Sequence, residues 1–139
     1  MIMSAKEIFN AMFANDHFSQ WLGISLVSVD EGTCTLAMTV RREMLNGFGI
    51  AHGGISFSLA DSAFAFACNS RGRHTVSIHC TIEHVTAVQL GDVLTAVATE
   101  EQVGNTISNY SIKVTKGDGS AVAFFRGVAY RKKNLWEKE

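Results

Sequence analysis

The chain has 139 residues, a length that fits one domain and is too short for two ordinary ones. Hydrophobic residues make up 47% of it and charged residues 18%, which is more apolar than a domain of this size needs for its own core. We therefore expect apolar surface that is reserved for a partner subunit. The formal net charge of -1 excludes a strong field that would gather nucleic acid or an anionic membrane.

The three cysteines, Cys34, Cys68 and Cys80, form no CxxC pair and lie far apart in the sequence. Their odd number and scattered spacing indicate a reducing compartment. The N-terminal residues lack a long apolar region, and no apolar run is long enough to span a bilayer. A soluble, cytoplasmic protein is therefore expected.

The first predicted elements are a helix, a short turn and two strands. Ser4 and Glu7 form a capping-box pattern, and apolar residues at helical spacing then predict a helix to about Asn15. A short turn follows, which Gly23 is expected to end. Strands are predicted over 24–29 and 33–41, because apolar and polar residues alternate in the second of them.

Segment 55–68 lacks this alternation and has small residues all round, which predicts a central helix enclosed on every side. Strands follow it, with hairpin turns at Gly104 and at 117–119, and the charged tail from Lys132 is expected to fray. This order predicts a single α+β domain over 1–139, in which a long antiparallel sheet wraps around the central helix. One helix cannot cover both faces of such a sheet, so dimerisation is expected.

The start of the central helix carries the first candidate site residues, Gly53 and Gly54. Two consecutive glycines are poor helix formers, so they indicate either close approach to the backbone or special backbone dihedral angles. The first N–H groups of a helix have no partner within the helix and carry its positive dipole end. Such donors can stabilise the oxyanion that forms when a thioester carbonyl is attacked, and the Asn46 amide can add a polar contact.

Asp61 is the only charged residue between Gly53 and Cys68. A lone carboxylate in a small, apolar helix is a candidate nucleophile or general base. The residue taken alone is equally consistent with a capping or paired structural carboxylate. Asp61 lies eight residues beyond Gly53, about 12 Å along a helix, so one carbonyl cannot contact both in the same chain. If they act together, Asp61 comes from a second subunit.

In this order the motifs resemble those of the phenylacetate-degradation (PaaI-type) hotdog-fold acyl-CoA thioesterases. The resemblance rests on Asn46, His52-Gly53-Gly54, Ser58-Leu59-Ala60-Asp61 and Ala67-Cys68-Asn69-Ser70. It extends to Asp30-Glu31-Gly32, Met44-Leu45-Asn46-Gly47 and Phe125-Arg126-Gly127, and so covers nearly the whole chain. The His-Gly-Gly motif alone is a modest signal, whereas the full ordered set is a strong one.

The resemblance implies a hotdog fold, a homotetramer built from two dimers, and hydrolysis of acyl-CoA, typically with an aromatic acyl group such as phenylacetyl or hydroxyphenylacetyl. It implies that the Gly53 N–H polarises the carbonyl, that Asn46 and His52 shape the catalytic site, and that Asp61 of the neighbouring subunit attacks or activates water. Gly54 and Ser77 are predicted to contact substrate, although Ser77 also fits an ordinary outward-facing strand residue. No cofactor and no metal are expected, since coenzyme A is part of the substrate.

Two other functions stay open. His52 with Asp61 would suit a hotdog acyl-CoA hydratase or dehydratase, but their separation along one helix puts an in-chain dyad out of reach. A non-catalytic acyl-CoA-binding protein is also compatible with the fold, although binding alone does not need Asp61.

His74, His79 and His84 recur at an odd spacing that sends them to opposite strand faces, so they predict no metal site. Phe57, Phe64 and Phe66 suit either an aromatic-accepting pocket or plain core.

Overall fold

The helices begin where the sequence places their caps. In the computed structural model, which describes residues 1–139, α1 spans Ala5–Ala14 and α2 spans His17–Leu22. The Ser4 side chain accepts a hydrogen bond from the Glu7 N–H at 3.2 Å, and the Glu7 carboxylate accepts one from the Ser4 N–H. Gly23 ends α2 in the left-handed region, with φ of 74°. The capping box and the glycine stop are both confirmed.

A single six-stranded antiparallel sheet forms the body of the fold. Its strands are β1 Ser25–Asp30, β2 Thr33–Thr39, β3 Arg73–His84, β4 Val93–Val103, β5 Ile107–Lys116 and β6 Ala121–Leu135. They lie in the order β1-β2-β4-β5-β6-β3, so β3 is an edge strand. A short 3-10 helix, Arg42–Met44, and the long α3, Gly53–Asn69, connect β2 to β3.

The sheet wraps around α3, which contacts all six strands. This is the predicted α+β hotdog arrangement, and it is confirmed. The prediction that α3 is enclosed on every side is wrong for one stripe. Gly54 is exposed, and Ser58, Asp61 and Ala65 are only half-buried, because no element of the chain packs over them.

One close contact fixes α3 against the sheet. The ring of Phe64 lies directly on the backbone of Gly127 in β6, where an added Cβ would be 2.7 Å from the ring carbons. The same ring contacts Tyr110 and Phe125, with centroids 5.6 and 5.9 Å away. Glycine at position 127 therefore leaves the space that the aromatic ring of Phe64 occupies.

The C-terminal segment is ordered by pairing and packing, so the prediction that it frays from Lys132 is wrong. β6 continues to Leu135, and the Trp136 indole N–H then donates to Asn69 Oδ1 at 3.0 Å. The indole also stacks on His74, with ring centroids 4.1 Å apart. Charge alone suggested a solvated tail, whereas an apolar tryptophan ties it to the end of α3. We call this contact set, Trp136 with Asn69 and His74, the C-terminal clasp.

Three further features bear on the predictions. None of the helices combines the length and apolar character needed to cross a membrane. All three cysteines are free thiols. No three histidine, cysteine or acidic side chains come together in an arrangement that would hold a metal ion.

Candidate active site

The N-terminus of α3 presents one unused amide donor. His52 is the N-cap, and its Nδ1 accepts a hydrogen bond from the Gly54 N–H at 2.9 Å. The Ile55 N–H donates to the carbonyl of His52, whereas the Gly53 N–H donates to no group of the chain. Of the two glycines, Gly53 therefore offers the free donor, at the positive end of the helix dipole.

Asn46 organises the loop that leads into α3. Its Oδ1 accepts hydrogen bonds from the N–H groups of Phe48 and Ile50, at 2.9 and 3.4 Å. The His52 N–H donates to the Met44 carbonyl at 2.8 Å, which holds the loop against the helix start. With Oδ1 used inside the loop, the Asn46 side-chain N–H groups remain as donors to a ligand.

Asn46 and Gly53 line one cavity of about 330 Å³, which is within the size range of small-molecule sites. His84, the last residue of β3, lies across it, and Ser56 completes the polar lining. Sequence reasoning missed His84 as a residue of this cavity, because it considered His84 only in rejecting a metal site. Its place on the same strand face as Cys80 and Ile82, which both point inward, was the available signal.

A second cavity, of about 340 Å³, lies on the other side of the α3 N-terminus. Its walls include His52, Gly54 and Ser58, together with the stacked aromatic pair Phe18 and Trp21. The Arg41 guanidinium lies 4.5 Å from the centroid of the Trp21 ring, and Arg41 also donates to the carbonyls of residues 21 and 22. Trp21 is therefore held in place as an aromatic wall beside the helix start. A larger cavity of about 630 Å³ lies on the outer face of the sheet, away from these groups.

Asp61 lies on the half-buried stripe of α3. Burial raises the pKa of its carboxyl group, and the negative charge of Asp16 raises it further. None of the four ion pairs of the chain includes Asp61. Asp61 and Gly53 belong to one continuous helix, so within a chain they are about 12 Å apart.

Ser77 and Cys80 lie on β3 beside the same stripe. The pKa of Cys80 is raised by burial and, to a smaller extent, by the negative charge of Asp61. Ser77 is exposed, with its Oγ 3.1 Å from Cys80 Sγ. The single chain therefore does not bring Ser77 together with Gly53, and its predicted contact with substrate stays a prediction.

Two of the alternatives are weakened by the side-chain contacts. His52 uses Nδ1 to cap α3, so this nitrogen is not free to accept a proton, and Asp61 lies two turns further along the helix. Phe64 and Phe66 are 1% and 2% exposed and belong to the core. Phe57 is half-buried against Phe125, with ring centroids 5.2 Å apart.

The sheet wrapped around α3 defines a hotdog fold, and sequence relatives define the enzyme class as that of the thioester hydrolases. The profile of the thioesterase superfamily matches residues 48–123, which contain the loop, the helix start and Asp61. The chain belongs to this superfamily.

Known proteins of the family resemble it over most of its length. The chain is 43% identical to the acyl-coenzyme A thioesterase PaaI of Escherichia coli over 122 residues, which cover 88% of this chain and 87% of that protein. The structure of the E. coli PaaI protein, from the phenylacetic acid degradation operon, superimposes with a TM-score of 0.92 over 94% of this chain and 95% of that one, at 41% identity. A Streptococcus mutans protein bound to acetyl CoA gives a TM-score of 0.79 at 25% identity, over 81% of this chain and 91% of that one.

Proposed function

We propose that the chain hydrolyses acyl-CoA thioesters to a free acid and coenzyme A, with aryl-acyl groups such as phenylacetyl or hydroxyphenylacetyl as its substrates. The observation that carries the proposal is the free Gly53 N–H at the start of α3, which opens into a cavity of suitable size. The E. coli relative named as an acyl-coenzyme A thioesterase supports the reaction, and the acetyl CoA-bound relative supports coenzyme A as the carrier.

In the proposed reaction the Gly53 N–H donates to the thioester carbonyl oxygen, and this hydrogen bond strengthens as negative charge develops there. A water molecule adds to the carbonyl carbon and passes a proton to the Asp61 carboxylate. The C–S bond then breaks, and the coenzyme A sulfur leaves as a thiolate. Asp61 can alternatively attack the carbon itself and form an anhydride, which water then cleaves. A single turnover in water labelled with oxygen-18 distinguishes the two routes. Incorporation of the label into the Asp61 carboxylate would indicate the anhydride route, since water then attacks the Asp61 carbonyl.

The proposed active site is shared between two subunits, because Gly53 and Asp61 of one helix lie too far apart for a single carbonyl. Two features support a partner beside α3. The half-buried stripe that carries Asp61 lies next to β3, and β3 is a 12-residue edge strand. Val76 and Ile78 on that strand are 43% and 56% exposed, which is unusual for an unpaired natural edge. Pairing of two β3 strands would bury them and bring two α3 helices together.

A homotetramer of two such dimers is the proposed assembly. Its support is the outer face of the sheet, where Val97 and Phe124 line the large cavity and are 41% and 46% exposed. The proposed reaction uses water as its only co-reactant, so it needs neither a cofactor nor a metal. We place the enzyme in the cytoplasm, and the three free thiols support that location.

Release of free thiol from phenylacetyl-CoA tests the proposal directly. Wild-type protein should turn over, and Asp61→Asn and Asp61→Ala should each lose at least about a hundredfold in kcat because the catalytic carboxylate is gone. Asp118→Asn is the matched control, since Asp118 is an exposed turn residue that caps the Ser120 N–H. Wild-type turnover in both Asp61 variants would reject the mechanism. Hydration of crotonyl-CoA, followed by absorbance, separately tests the lyase function.

The preference for an aryl group is assigned to the second cavity, where Trp21 and Phe18 offer aromatic faces to a ring. Trp21→Ala should raise KM for phenylacetyl-CoA roughly tenfold, the cost of about 1.4 kcal/mol of lost stacking and burial, and should leave acetyl-CoA nearly unaffected. Phe48→Ala serves as the control, because Phe48 is 91% exposed and lines neither cavity. Equal losses for both substrates in Trp21→Ala would contradict the assignment.

A further inference from the structure

His84 lies against the backbone at the start of α3. If Gly53 carried a Cβ, that atom would be 3.3 Å from His84 Nε2, which is the nearest atom of the ring. Nε2 therefore sits beside the residue whose N–H is the free donor. Glycine at this position leaves no side chain between the imidazole and the space in front of that N–H.

The orientation of the ring is fixed from its other nitrogen. Ser56 Oγ is 3.3 Å from His84 Nδ1 and also 3.3 Å from the Gly53 carbonyl oxygen. Ser56 is itself buried on the first turns of α3. The Ser56 hydroxyl has a single proton, which it gives either to the Gly53 carbonyl or to Nδ1. In the tautomer with the ring proton on Nε2, Nδ1 accepts from Ser56, and Nε2 is a donor that faces the cavity.

The backbone that carries His84 is also held firmly. His84 is the last residue of β3 and pairs with Ala123 of β6, and the next residue, Val85, donates its N–H to the Val122 carbonyl at 2.9 Å. A donor on the end of a paired strand is placed more reproducibly than one on a free loop. Asn46, Gly53 and His84 thus converge on the same 330 Å³ cavity from a loop, a helix and a strand.

We propose that His84 is a further catalytic residue, whose Nε2–H donates a hydrogen bond to the thioester carbonyl oxygen next to the Gly53 N–H. This inference rests on the proposed thioesterase function and adds a second donor to the same oxygen. Two preorganised donors share the charge that develops during attack, so each lowers the barrier more than it tightens ground-state binding. Ser56 acts as a positioning residue, because its contact with Nδ1 holds the plane of the ring.

The test compares His84→Leu, which removes the donor, with His84→Gln, whose amide N–H can reach about the same place as Nε2. With phenylacetyl-CoA, the kcat of His84→Leu should fall roughly a hundredfold, the lower end of the range for losing one oxyanion donor, while KM changes little. His84→Gln should recover about a tenth of wild-type kcat. Ser56→Ala should lower kcat less than His84→Leu does, since the ring remains but turns more freely.

His17→Leu is the matched control, since His17 is an exposed histidine at the start of α2, away from β3, that lines neither cavity beside α3. It should keep wild-type kcat. A His84→Leu protein with wild-type kcat would overturn the inference, and so would equal losses in His84→Leu and His84→Gln at unchanged thermal stability. If His84→Leu does not fold, His84→Gln is compared with wild type alone. A His84→Gln protein of wild-type stability that loses roughly a hundredfold in kcat would then overturn the inference. Wild-type protein that releases no thiol from any acyl-CoA would reject the proposed function itself, whereas active wild type with unaffected His84 variants would reject only this inference.

Discussion

The Asp61 carboxylate is in an energetically unfavourable position, because it is half-buried on the central helix and forms no ion pair. Burial and the charge of Asp16 both raise its pKa, so the folded protein favours the neutral acid more than the unfolded chain does. The stability that this group contributes is therefore fully present below its unfolded pKa and is lost as pH rises through the folded pKa. A residue retained at such a cost is a candidate for function rather than for stability.

We therefore expect Asp61→Asn to unfold at a higher temperature than wild type at neutral pH, even though it loses activity. The difference should shrink as pH falls toward the acid range, where both proteins carry a neutral side chain. Thermal unfolding followed by circular dichroism across pH measures it. Asp118→Asn should behave in the opposite way, because hydrogen bonds from Ser120 lower the pKa of Asp118 and stabilise its charged form. A lower melting temperature for Asp61→Asn at neutral pH would contradict the expectation.

At this scale the sequence identified residues whose local pattern is distinctive. The glycine pair and the isolated acid stand out within one short segment, so Gly53 and Asp61 become candidates from their neighbours alone. His84 does not, because its significance depends on where the end of β3 falls relative to α3. The alternation along β3 indicates only which way the His84 side chain points, whereas its position relative to α3 is set by strand pairing across the sheet.

Among the elements, those that end in a specific cap were predicted well. Ser4, Glu7 and Gly23 act through backbone groups a few residues away, so their positions define helix ends locally. The C-terminal clasp was missed because Trp136 gains its partners from distant parts of the chain. Asn69 also accepts a hydrogen bond from the Thr75 N–H at 2.9 Å, so one buried amide joins α3, β3 and the end of β6.

Removal of the clasp should lower the stability of the whole domain rather than loosen a tail. Trp136→Ala should cost roughly 2 kcal/mol, less than a fully buried tryptophan, since the indole is only half-buried. Trp136→Phe keeps an aromatic ring against His74 and should cost about 1 kcal/mol, the net value of the lost hydrogen bond. Leu135→Ala is the neighbouring control, because Leu135 is 46% exposed. Urea unfolding measures all three, and an unchanged midpoint for Trp136→Ala would show that the clasp contributes nothing.

For the whole molecule, the central question is whether two chains build each active site. Composition predicted surplus apolar surface, and the exposed Val76, Ile78 and Phe124 show where the single chain carries it. The error about α3 has the same origin. The composition of α3 predicts full enclosure, yet one side of the helix is left open by its own chain. A single sequence does not distinguish cover by its own chain from cover by another.

Subunit mixing tests the shared site. Gly53→Pro removes the free N–H, and proline is tolerated at the first position of a helix, where His52 already has the extended conformation that precedes proline. Gly53→Pro and Asp61→Asn should each be inactive as homodimers. Co-expressed chains should recover about a quarter of wild-type activity, since half of the dimers are mixed and each has one intact site. Mixed dimers that stay inactive would show that Gly53 and Asp61 do not cooperate across subunits.

The contact between Phe64 and Gly127 has a mechanical consequence for catalysis. The Phe64 ring packs directly on the backbone of Gly127, and this contact fixes the position of α3 along β6. Asp61 lies about one turn before Phe64 on the same helix. In the proposed dimer, this contact would therefore set the position of Asp61 relative to the neighbouring chain. In Gly127→Ala the added methyl group would push Phe64, and α3 with it, away from β6. We expect this variant to lose turnover because Asp61 is displaced, under conditions in which the protein is still folded.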